Sequence, residues 1–176
     1  MSTQSSGESA ALERSVKNPN SNCEYAIKTR PAVQYVLAKS SDNYVSERRV
    51  QAILFSAEVN WQSNNDYSLL DATFEKIRRG VYSKEIRKAF QSLGLRSRRA
   101  YHDGYQTRKF DTRPVDTPDQ NEVDGKEVEE AFDMLDAVLD DVRDVPEDDI
   151  MGWCLNLEDV RSLNSGTVIT LDSLSA

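Results

Sequence analysis

The sequence predicts a mainly α fold: a compact helical domain with one small β-hairpin and a disordered N-terminal leader. Three observations point there. Apolar residues recur at spacings of three and four in "SERRVQAILFSAEVNW" and "KEVEEAFDMLDAVLDDV", the period of a helix with one buried face. Serine, proline and glycine stand where those helices should begin and end. A single Asp-Gly pair, Asp103-Gly104, separates two stretches of mixed aromatic and polar residues, a favoured two-residue hairpin turn.

Taken in order, residues 1–22 are rich in Ser, Asn and Glu and end in "KNPNSN". They bury too little apolar surface to offset the entropy of ordering, so they read as the leader. A single domain is expected over 23–160. It opens with a short helix carrying Ala32, Val33, Tyr35, Val36 and Leu37. Pro31 falls in its first turn, where a missing N–H costs nothing. Ser46 is a natural N-cap for the next helix, whose apolar residues are Val50, Ile53, Leu54, Ala57 and Trp61. "NNDYSLLDATF" then reads as a loop into a brief extended or helical piece.

At Gly80-Val81-Tyr82-Ser83 the chain breaks between two segments with helical spacing. Ser83 would cap the second, with Ile86, Ala89, Phe90 and Leu93 on its buried face and Gly94 as its stop. A positive φ at Gly80 would let one helix turn directly into the next. Beyond the Asp103-Gly104 hairpin, 114–125 reads as a flexible acidic loop. An amphipathic helix follows, with Val128, Ala131, Phe132, Leu135, Val138, Leu139 and Val142 as its stripe. Pro146 opens a shorter helix expected to bury Ile150, Trp153 and Leu157, and 161–176 form a C-terminal tail, as a strand or an ordered coil.

With 176 residues the chain can bury one core. Its net charge of −8 is split unevenly. Residues 1–113 hold 19 Lys/Arg against 12 Asp/Glu, whereas 114–176 hold 3 against 18. Such asymmetry suits a basic binding face beside an acidic arm. No apolar run approaches membrane-spanning length, and the first residues lack the apolar centre of a secretory signal. A cytoplasmic location follows as the expectation, with Cys23 and Cys154 as reduced thiols.

Chemistry has few candidates. The only histidine, His102, adjoins the hairpin turn, where nothing rigid would orient a carboxylate or nucleophile beside it. The phosphate-loop, dinucleotide and zinc-protease signatures are missing from the sequence. "DVPEDDI" and "DTPDQNEVDG" do not match a calcium loop. The expectation is therefore a protein that is not an enzyme and uses neither cofactor nor metal.

Binding has more. Arg78, Arg79, Lys84, Arg87, Lys88, Arg96, Arg98, Arg99, Arg108 and Lys109 are interleaved with Tyr82, Tyr101, Tyr105 and Phe110. One reading is a contact surface for a protein, anchored by Phe74, Tyr82, Tyr101 and Tyr105 with Arg78, Arg79, Lys84 and Arg87 around Gly80. The acidic helix would then compete for the basic face. The other is a winged-helix-type DNA-binding regulator, in which a helix enters the major groove and the basic hairpin touches backbone. Against that, "SKEIRKAFQSLG" offers few Asn or Gln side chains to read base edges.

The order of pieces also carries a likeness. "AVQYVLAKS", then "SERRVQAILFSAEVNW", then "LLDATFEKIRRGVYSKEIRKAFQSL" resembles the Panacea domain, the SocA-like antitoxin family. The matching positions include Phe74, Gly80, Tyr82 and Ile86. Ala52 stands at the family's usual Lys, and Val81 at the Pro that follows the glycine. "PEDDIMGWCLNLEDV" is similar to the family's closing helices. The resemblance covers about Arg30 to Val160. It implies a module that binds and neutralises a toxin partner, or delivers it to proteolysis, with no catalysis.

Overall fold

The computed structural model describes residues 24–102 and 104–171. The leader and Cys23 lie outside them. In chain order the helices and strands are β1 (Tyr25–Ile27), α1 (Thr29–Lys39), β2 (Tyr44–Ser46), α2 (Glu47–Asn64), β3 (Ser68–Leu70), β4 (Glu75–Ile77), β5 (Gly80–Tyr82), α3 (Lys84–Leu93), β6 (Ser97–His102), β7 (Tyr105–Asp111), α4 (Val128–Val142), α5 (Glu147–Asn156) and α6 (Glu158–Arg161). The fold is thus mixed α/β, with three small sheets among the described residues. The expectation of a mainly helical domain with one small hairpin is corrected. Five of the strands have three residues each, too few to set up a visible alternation, and β1 and β2 take their partners from far along the chain.

At the centre lies α2, buried without interruption from Val50 to Val59. The sequence suggested one buried face, but α1, α4 and α5 together with β3 and β5 surround it. Most of its inward polar groups are bonded, as buried polar groups usually are; the Trp61 indole N–H is an exception, buried without a partner among the described residues. Ser56 Oγ donates to Ala52 O at 2.8 Å. The Glu58 carboxylate accepts from Leu69 N at 2.6 Å and Leu70 N at 3.2 Å, fixing β3 against the helix. Ser46 caps α2 as expected, its Oγ accepting from Arg49 N at 3.0 Å.

Around residue 80 the structure departs from two helices joined by a corner. β4 and β5 form an antiparallel hairpin, Glu75↔Tyr82, Lys76↔Val81 and Ile77↔Gly80, with Arg78 and Arg79 as its turn. Positive φ belongs to Gly94, Gly104, Gly125 and Gly166, not to Gly80. Gly80 is needed for a different reason. A Cβ there would lie 2.5 Å from Met151 Sδ and 2.8 Å from its Cγ, and Val81 N–H donates to the same sulfur at 3.4 Å. A glycine permits that close approach of strand and helix.

One further correction concerns the C-terminal third. The buried side of α5 is Ile150, Met151 and Cys154, whereas Trp153 is 43% exposed and Leu157 half-buried. The described part of the tail runs beside β4, with Lys76 N donating to Thr167 O at 2.9 Å and Ile169 N to Phe74 O at 2.8 Å. Gly94 ends α3 in the left-handed conformation (φ 60°), as the sequence indicated. No helix among the described residues is long and apolar enough to cross a membrane.

Candidate binding groove

Three elements converge on one side of α2. The first is the β4–β5 hairpin, the second α3, and the third the hairpin of β6 and β7, which reaches out from the sheet β2-β7-β6. Phe110 of β7 stacks on Phe90 of α3, ring centres 4.9 Å apart, and fixes the base of the long hairpin. Alternation along β6 and β7 puts Ser97, Arg99 and Tyr101 on the same face as Phe110, Arg108 and Gln106. That face looks toward α3 and the β4–β5 turn. Between them lies an open groove of about 850 Å³.

Its walls are cationic and its floor is apolar. Arg79 and Arg87 line one side, Arg108 the other, with Val81, Phe90 and Met151 below. Glu47 is the one carboxylate among the lining residues, and it is engaged with Arg87 at 3.5 Å. The Arg87 guanidinium also stands over the Tyr82 ring, 6.0 Å from its centre. A cleft lined by one sign of charge over low-dielectric walls concentrates that field on whatever enters.

Two internal networks hold the groove in shape. Gln51, buried in α2, accepts from Ser83 N at 2.9 Å and donates to Ser83 O at 3.0 Å, as a neighbouring strand would. The side-chain cap expected from Ser83 is absent; its Oγ donates instead to Glu85 at 3.1 Å. The second network is centred on Arg48. Its guanidinium donates to Glu147 (3.1 Å), Asp148 (2.7 Å) and Arg79 O (2.9 Å). Ser46 Oγ donates to the same Glu147 carboxylate. The β4–β5 turn is thereby tied to the start of α5.

The face behind the groove is also basic, but it is neutralised in part. Asp111 is held below the ordinary carboxylate range by the Arg113 guanidinium, 2.9 Å away. Arg98 and Arg113 lie over the Tyr44 ring at 3.9 and 5.3 Å. On the groove side, Arg99 and Arg108 sit directly opposite each other and make no ion pair with a described residue. Like charges directly across a ladder destabilise it. An anion bound there would relieve the cost.

The sequence-derived contact residues separate into groups. Arg79, Tyr82 and Arg87 line the groove, and Arg78 is exposed beside Arg79 at the turn. Tyr101 is 81% exposed on the groove-facing side of the hairpin. Tyr105 is paired with His102 at the hairpin's end. Lys84 is exposed at the start of α3, outside the groove lining. Phe74 is not a surface anchor: it is 4% exposed and packs edge-on against Phe55 with ring centres 5.1 Å apart. Gly80 is buried under Met151. Sequence reasoning missed Gln51 and Met151, which come from remote helices, and undervalued Arg108, whose alternation with Phe110 on β7 could have been read.

No protein-family model, curated protein or solved structure matches this chain.

Proposed function

We propose that this chain is a non-catalytic protein-binding module of antitoxin type, which captures a protein partner by an acidic segment seated in the groove. The observation that carries the reading is the pair of arginine walls over an apolar floor. Arg79 and Arg87 face Arg108 across Val81, Phe90 and Met151, a combination suited to carboxylates flanking an apolar anchor. Arg and aromatic side chains are those that dominate contact energies, and cationic walls raise the rate at which an anionic partner is found. The likeness of the Gly80–Ile86 region to the Panacea domain favours a toxin as that partner.

Fluorescence anisotropy with a labelled Glu-rich peptide tests the recognition. Binding should be lost when Arg79 and Arg87 are both changed to Glu, and a Lys-rich peptide should not bind. Unchanged binding in that variant would overturn the groove as the docking site. The neutralising role is tested by co-expression with the reading frame beside the gene: toxicity alone and growth together are expected.

DNA is the second reading, favoured by the cationic rows on both faces of the β6–β7 hairpin. Retention on duplex DNA near physiological salt, with a steep negative salt slope, is its mark.

A further inference from the structure

We infer that the partner's acidic segment binds as an added β-strand on the free edge of β6, its alternate carboxylates facing the groove; this rests on the reading of the groove given above. Asp111 N donates to Arg96 O at 2.9 Å, which fixes the phase of the β6–β7 ladder. Bonded pairs alternate along an antiparallel ladder, so Arg98, Ala100 and His102 exchange bonds with β7. Ser97, Arg99 and Tyr101 then point their N–H and C=O groups away from it. Beyond β6 no further strand is paired among the described residues.

The side chains of those same residues lie on the groove face. Backbone donors, backbone acceptors and the arginine row therefore belong to one strip. A strand laid along it in antiparallel register places the residues opposite Ser97, Arg99 and Tyr101 on the groove side, with their own N–H groups directed at β6. The partner residue opposite Arg99 would meet its guanidinium directly, with Arg108 one strand further in on the same face. Strand addition of this kind takes affinity from the main chain and specificity from alternate side chains.

Charge selects the occupant. A second copy of β6 would bring Arg98 and Arg99 against the same arginines, and edge cations of this kind turn away self-pairing. An acidic strand meets no such barrier and offsets the Arg99–Arg108 repulsion. The fold covers one of its own sheet edges in a similar way: residues 167–169 lie along β4.

The test uses the full chain and a labelled peptide alternating Glu with Val. Three forms are compared: unmodified, N-methylated at the Glu residues, and N-methylated at the Val residues. Only the Glu N–H groups should face β6, so methylation there should weaken binding by ~10-fold or more, from the loss of several main-chain bonds, while methylation at Val should leave it within about twofold. Equal affinity of the two methylated forms would overturn strand addition while leaving the groove reading intact. Failure of the unmodified peptide to bind would overturn both, as would tighter binding of a single-stranded oligo-dT at the same salt.

Discussion

Replacing Gly80 by Ala separates two explanations of the same glycine. The added Cβ would stand 2.5 Å from Met151 Sδ, 2.8 Å from Cε and 2.8 Å from Cγ. Relief requires the whole Met151 side chain to retreat by about 1 Å, and Met151 is packed in the core. Overpacking of this degree costs roughly 1–3 kcal/mol. Ala gains back about 0.5–1 kcal/mol over Gly within a strand, leaving a net loss of roughly 1–2 kcal/mol. For a domain of this size that lowers Tm by about 3–8 °C. Urea and thermal unfolding measure it. Met151→Ala alone should also destabilise, by opening a cavity, but Gly80→Ala combined with Met151→Ala should cost at least ~1 kcal/mol less than the two effects summed. Strict additivity would refute the argument, since it is what a backbone requirement independent of Met151 would give.

Further tests address the groove's supports and the buried carboxylate. Gln51→Leu strands the buried N–H and C=O of Ser83 and should cost roughly 2–4 kcal/mol in urea unfolding. Burial raises the Glu58 carboxyl from 4.5 to about 7, against the lowering effect of the Leu69 and Leu70 N–H groups. Between those values the unfolded chain has released a proton that the folded chain keeps. Stability should therefore fall by roughly 3 kcal/mol as pH rises from 4.5 through 7. Glu58→Gln should flatten that slope; an unaltered slope would place its origin elsewhere. Arg108→Glu sets opposite charges at the Arg99↔Arg108 position, so unfolding should show a gain of about 0.2–1 kcal/mol while acidic-peptide binding weakens. A variant that gains stability and also keeps its affinity would remove Arg108 from the binding surface.

How much of this was legible in the sequence depends on the range of the interactions. The helices from Val50 and Val128 announce themselves by periodicity, and Ser46, Gly94 and Asp103-Gly104 act through neighbours a few residues away. The three-residue strands do not. Whether 75–77 is strand or helix is decided by its pairing with 80–82 and by the tail at 167–169, and no local spacing records either partner. Gly80 illustrates the limit: its presence signalled a constraint, but two constraints produce the same residue, and only Met151, far along the chain, distinguishes them. Phe74 was misassigned for a similar reason, because an aromatic residue beside a basic run looks like an anchor until Phe55 is seen packed against it. The cationic content of the groove was visible. Its division into two facing walls depends on the β6–β7 register.

The most direct test of the central claim is an amide chemical-shift map of the chain titrated with the Glu-Val peptide. Shifts are predicted to concentrate at Tyr82, Arg87 and Gln91 on one wall and at Arg99, Thr107 and Arg108 on the other. Shifts spread equally over cations outside the groove, such as Lys28, Lys39 and Lys126, would contradict it.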